Sequence, residues 1–240
     1  MSKRNMSLTP RFEDIRNVKP GLLPQQFSLS KIKKHFTDSM RDIKLQYDVA
    51  DMALNNGNEI ACKTIWRSQI VFAESILDFY IHEISKYCLF RMFIGQWKKT
   101  EKYKSIMIPI DNVEEAISNV NSNDWFFGYL NNRFSRDVFL SLESMRDQLN
   151  LIGVEFKETM NRAFPCVKIN DAIRKGSKIV SDLFKRRNEI VHQNDRNHSS
   201  AEQRDITKND VDECISNIES IVTAIHEIVE EKDMKADTNS

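Results

Sequence analysis

The chain has 240 residues with 35 Lys+Arg and 35 Asp+Glu, for a formal net charge of +0. The length suits one large domain or two small ones, and 14 Phe, 3 Trp and many Ile and Leu exclude a chain disordered throughout. The charge balance excludes a polybasic coat for nucleic acid, so any basic surface has to be local. Cys62, Cys88, Cys166 and Cys214 stand far apart with no Cys-x-x-Cys pair, and read as buried, reduced thiols of a cytoplasmic protein. The opening stretch MSKRNMSLTPRFED lacks the apolar core of a secretory signal. The most apolar region, 70–93, is interrupted by Glu74, Asp78, His82, Glu83, Lys86 and Arg91, so no membrane span is expected.

Residues 1–27 hold Pro10, Pro20, Gly21 and Pro24 and read as an irregular N-terminal arm. A first helix is expected over 30–55, opened by Ser30 and stopped at Asn56-Gly57, with Ile32, Phe36, Met40, Ile43, Tyr47, Ala50 and Leu54 on one apolar face. A second, over 58–94, is apolar around most of its circumference and is expected at the centre of the bundle. The basic loop WKKTEKYK follows at 97–104, then a short helix capped by Asp111. Helices over 124–134 and 136–152, a short segment over 155–164 and a helix over 170–191 come next. After a polar loop, Thr207 opens the last helix with Asp210 as its capping partner. Residues 233–240 read as a disordered tail. The expected fold is all-α: one helical domain over 28–232 with a long central helix.

The chemistry concentrates in KRRNEIVHQND, at 185–195, where a predicted helix meets a polar loop. Metal-free chemistry at a phosphate ester requires groups that move protons and a cation for the charge that develops. His192 can move protons near neutral pH, and Arg187 offers a planar, permanently charged fork that matches phosphate oxygens. Asn188 and His192 are four apart and share a helix face. Arg187 and His192 are five apart, about 140° around an ideal helix. One site therefore needs Arg187 to wrap round, the helix to loosen, or a two-fold dimer to bring copies together. The plainer alternative is a basic helix end, with Lys185, Arg186 and Arg187 complementing the dipole and His192 capping carbonyls.

On the long helix, Arg67, Glu74, Asp78, His82 and Ser85 fall in one narrow sector. Either this stripe faces the Arg/His motif, with Glu74 orienting Arg187 or His192, or it is a solvent-facing edge. Arg174, Lys178, Lys185 and Arg186 gather near the motif as candidate RNA-binding residues, and Trp97, Lys98, Lys99, Lys102, Tyr103 and Lys104 in the middle loop form a second basic patch. His192, Asp195 and His198 have ligand-like spacing, but a hydrated loop is the simpler account and no metal is expected. His35, His82 and His226 read as helix-surface residues.

The sequence Arg187-Asn188-x-x-x-His192 at a helix end resembles the signature of the HEPN superfamily. With RSQIVFAESILDFYIHEI on the long helix, it looks most like the RiboL-PSP-type HEPN domains over residues 58–229. The resemblance implies an all-α HEPN-like bundle and a metal-independent, cofactor-free endoribonuclease. Arg187, His192, Asn188 and Glu74 are then its catalytic candidates. It also implies a homodimer whose two motifs line one cleft, and a toxin or antiviral-defence effector with an antitoxin or defence-system partner. Some such domains are inactive and only bind RNA or nucleotide, or scaffold a partner protein. HEPN toxins silenced by a nucleotidyltransferase resemble Arg-x4-His-x-Tyr; Asn194 stands at that Tyr position, so the acceptor is missing here.

Overall fold

The computed structural model describes residues 26–120 and 122–238; the expected arm lies almost wholly outside them. Helix α1 (Leu29–Lys44) buries Ile32, Phe36, Met40 and Ile43. Its cap is Ser28, two residues before the expected Ser30, and the Ser28 hydroxyl accepts from the Lys31 N–H at 3.3 Å. The single helix expected over 30–55 is interrupted at Leu45, beyond which α2 (Gln46–Asn55) runs to the Asn56-Gly57 stop. Gly57 takes a φ of 75° there, a conformation that favours glycine. Asn58 then caps α3 (Glu59–Phe93) by accepting from the Ala61 N–H at 3.1 Å.

Helix α3 is the axis of the fold. It packs against α1, α2, α6 (Asp124–Phe134), α9 (Ile169–Gln193) and α10 (Lys208–Asp237), which explains its apolar circumference. Between Gly95 and α6 lie two shorter helices, α4 (Glu101–Lys104) inside the basic loop and α5 (Ile110–Ser118) behind Pro109. Helix α7 (Leu142–Leu151) is capped by Ser141 rather than starting at 136, and α8 (Phe156–Ala163) packs on α9 and α10. The capping box of Thr207 and Asp210 opens α10 as expected. Among the described residues there is no strand, and no helix is long and apolar enough to cross a membrane.

Several expectations are corrected. Helix α10 continues through Asp237, so 233–237 is helical rather than a disordered tail. Asp233 is the reason: it accepts from Trp97 Nε1 at 3.0 Å and from the Tyr87 hydroxyl, with Arg91 Nε at 3.3 Å. The same contacts bury Trp97, which removes it from any base-stacking patch. Cys166 is exposed, because it lies in the link between α8 and α9. His226 is buried, with Nδ1 3.1 Å from the Tyr80 hydroxyl and Nε2 3.3 Å from Glu230.

Candidate active site

Helix α9 presents opposite faces to the core and to solvent. Ala172, Gly176 and Val180 form its buried side. Arg187 lies seven residues beyond Val180, which turns it inward toward α3. Its Nε is buried without a hydrogen-bond partner, and its Nη1 donates to Asn188 Oδ1 at 3.0 Å. The α3 stripe faces it. Glu74 is only 1% exposed, and its Oε1 has no partner. Burial pushes the Glu74 carboxyl up to about 8, opposed by the positive charge of Arg187. Burial also raises the Asp78 carboxyl, against the N–H of Phe139 at 2.8 Å, His82 and Arg187. The rest of the stripe is likewise turned to protein: Arg67 and Ser85 are buried, and His82 Nε2 lies 3.1 Å from the Asp137 carbonyl. A solvent-facing edge is therefore excluded for it.

His192 lies on the other side of α9 and is exposed. The helix continues regularly through Gln193, so it does not loosen before His192, and the two motif residues remain about 140° apart. A single chain thus brings Arg187 to Glu74 and Asp78 but not to His192. Spacings of four, seven and seven put Arg174, Lys178, Lys185 and His192 along one outward face. Their side chains are open, and their partners are near neighbours on the same helix: Arg174 with Asp171 at 3.3 Å, Lys178 with Asp182 at 2.5 Å, Lys185 with Glu189 at 3.8 Å. Such exposed pairs contribute about 0.3–0.5 kcal/mol each and yield readily to a phosphate.

Arg186 does not belong to that face. Its guanidinium is committed to the buried carboxylate of Asp195, with Nη2 2.9 Å from Oδ2, so it is not free for RNA. Arg67 Nε takes the same oxygen at 2.7 Å. This also removes Asp195 as a metal ligand beside His192 and His198, and no group of three or more His, Cys, Asp or Glu among the described residues could hold a metal ion. Sequence reasoning missed the Arg67–Asp195–Arg186 cluster, whose members lie on three separate segments. It also missed Phe72, Phe79 and Val191, large apolar side chains left exposed. Phe72 and Phe79 are one heptad apart on α3, but a helix apolar all round hides which side is open.

A helical bundle built on one long central helix, with an Arg-Asn-x-x-x-His motif closing a second helix against it, defines the class: an all-α HEPN domain. The RiboL-PSP-HEPN family model matches residues 28–231, and the chain belongs to that family. No curated protein and no solved structure matches it.

Proposed function

We propose that this domain is a metal-independent endoribonuclease that cuts RNA by attack of the substrate's own 2′-OH, acting as a toxin or antiviral-defence effector held in check by an antitoxin or defence-system partner. The observation that carries the reading is the motif itself: an inward guanidinium beside two acids, and five residues on a histidine open to a basic face. Family membership supports a role in RNA cleavage or RNA binding.

Arg174, Lys178 and Lys185 would draw the phosphate backbone along α9. As the 2′-oxygen bonds to phosphorus and the bond to the 5′-oxygen breaks, one proton leaves the 2′-OH and one arrives on the 5′-oxygen. Those are two proton tasks, and His192 can perform both in turn, taking the first proton and returning it to the 5′-oxygen. A two-fold pair of chains would set Arg187 of one chain beside His192 of the other, with the guanidinium meeting the charge that develops on the phosphorane. Glu74 and Asp78 lie near enough for the charge of Arg187 to act on their carboxyls, and Asn188 takes one of its N–H groups.

The test is cleavage of single-stranded RNA by purified wild type, His192→Ala and Arg187→Ala. Each substitution is expected to lower the rate by ~10²–10⁴ with circular dichroism unchanged. Wild-type cleavage should persist in EDTA, leave 2′,3′-cyclic phosphate and 5′-hydroxyl ends, and spare a substrate lacking the 2′-OH. Folded variants that cut at the wild-type rate, or 5′-phosphate products, remove the reading. One observation favours a second reading, a non-catalytic RNA-binding module: the basic face of α9 needs only surface charge, whereas Arg187 and His192 point to different sides of the helix. RNA binding that survives both substitutions, without cleavage by any variant, would select it.

A further inference from the structure

The loop after α9 is anchored by a buried ionic cluster that has no part in the proton transfers above. Asp195 is 2% exposed. Its Oδ2 accepts from Arg67 Nε at 2.7 Å and from Arg186 Nη2 at 2.9 Å, and its Oδ1 accepts from Arg186 Nη1. Arg67 also reaches from α3 to the Arg204 carbonyl at 2.5 Å. The backbone of Asp195 is used as well: its N–H donates to the Glu189 carbonyl at 2.9 Å, and its carbonyl accepts from the Arg204 N–H at 2.7 Å. One residue thus ties α3, the last turn of α9 and the returning arm of the loop.

Packing alone does not account for this arrangement. A buried ion pair loses to desolvation much of what it gains from attraction, so apolar residues of similar size would hold the segment about as well. What the ions add is a single geometry. That geometry is costly: Asn194 and Asp195 take φ of 50° and 58°, two consecutive left-handed residues that are not glycine. Such positions are unfavourable for a residue with a side chain, somewhat less so for Asn and Asp, and hold only where the surroundings impose them. The turn begins two residues after His192. The cluster also sorts two adjacent arginines. Arg186 is taken by Asp195, which leaves Arg187 as the one turned toward Glu74 and Asp78.

We propose that Asp195, gripped by Arg67 and Arg186, is a positioning residue of the site: it fixes the last turn of α9, so that Arg187 stays against α3 and His192 is presented in one orientation. Its effect on cleavage rests on the ribonuclease reading above; its effect on the His192 ring does not.

Asp195→Asn in the full chain tests this. Asparagine keeps the shape and tolerates the left-handed turn, but it removes the charge that both arginines require. The expected result is a folded variant with kcat at least ~10-fold lower and KM within about 3-fold, and with the His192 ring NMR signals, assigned by comparison with His192→Ala, shifted or broadened. Unchanged His192 signals in the folded variant overturn the proposal whatever cleavage does. Altered signals with an unaltered kcat overturn it too. Should Asp195→Asn fail to fold, Arg186→Lys, which retains the charge but not the two-pronged grip, is judged by the same two readings. A wild type that does not cleave RNA sinks the ribonuclease reading and leaves the ring signals alone to decide the role of Asp195.

Discussion

Burial removes the water that would solvate an ionised Glu74, and its Oε1 finds no donor in exchange. The carboxyl, pushed up to about 8 from an ordinary 4.5, is therefore mainly a neutral acid at pH 7 despite Arg187 beside it. The consequence for stability has a definite sign. Between those two values the folded chain binds one proton more than the unfolded chain. The contribution of Glu74 to stability therefore falls as pH rises from about 4.5 to about 8, and it is level outside that window. Glu74→Gln keeps the shape and cannot ionise. It is expected to gain on wild type across the window, by up to about 5 kcal/mol. Urea unfolding of both proteins near the two ends of the window measures this. A fixed offset would reflect only the buried amide, and a difference that stays the same at both ends removes the buried acid from the account. Glu74 was legible as a candidate because it is an acid deep in an apolar run. Asp195 was not, because its meaning comes from Arg67, 128 residues away in sequence.

At the scale of the element, α9 has to lie close to α8 for its inward residues to meet α3. Gly176 permits that approach: a Cβ there would come within 2.9 Å of both Met160 Cβ and Cγ. Gly176→Ala gains about 1 kcal/mol of helix propensity but overpacks a tight contact, at a cost of about 1–3 kcal/mol. The net expectation is destabilisation, read as a Tm lower by about 2–4 °C for each kcal/mol lost; a raised Tm would mean that α8 yields freely. The helices whose ends are set locally were legible from the sequence. Asn58 and Gly95 bound α3, Thr207 and Asp210 open α10, and the period of three and four residues marks α1, α9 and α10. The ends that long-range contacts set were not. The last turns of α10 depend on Trp97, Tyr87 and Arg91 meeting Asp233, and the polar composition of that segment gives no hint of them. The break at Leu45 was hidden because the apolar spacing continues across it from Ile43 to Tyr47.

On the scale of the whole molecule, the motif is divided: Arg187 faces the interior of one chain and His192 faces outward from it. Phe72, Phe79 and Val191 are exposed apolar side chains on α3 and α9, the two helices that carry the site. A symmetric pair of chains would resolve both features, because a two-fold axis beside α9 repeats every group across one cleft. Sedimentation should then show a dimer at working concentration, and full activity from a monomer would count against it. The sharper test mixes His192→Ala chains with Arg187→Ala chains. Neither homodimer has both groups. In a mixed dimer, the chain with Arg187 intact faces the chain with His192 intact. If each site takes its guanidinium from one chain and its imidazole from the other, one of the two sites in every mixed dimer is complete. Random exchange makes half the dimers mixed, so roughly a quarter of wild-type activity is expected to return. If each site is built within one chain, the mixed dimer has two broken sites and nothing returns. No recovery from mixed dimers shown to have formed would therefore refute the shared cleft, and Arg187 would then have to leave Glu74 and swing round α9 to reach the phosphate beside its own His192.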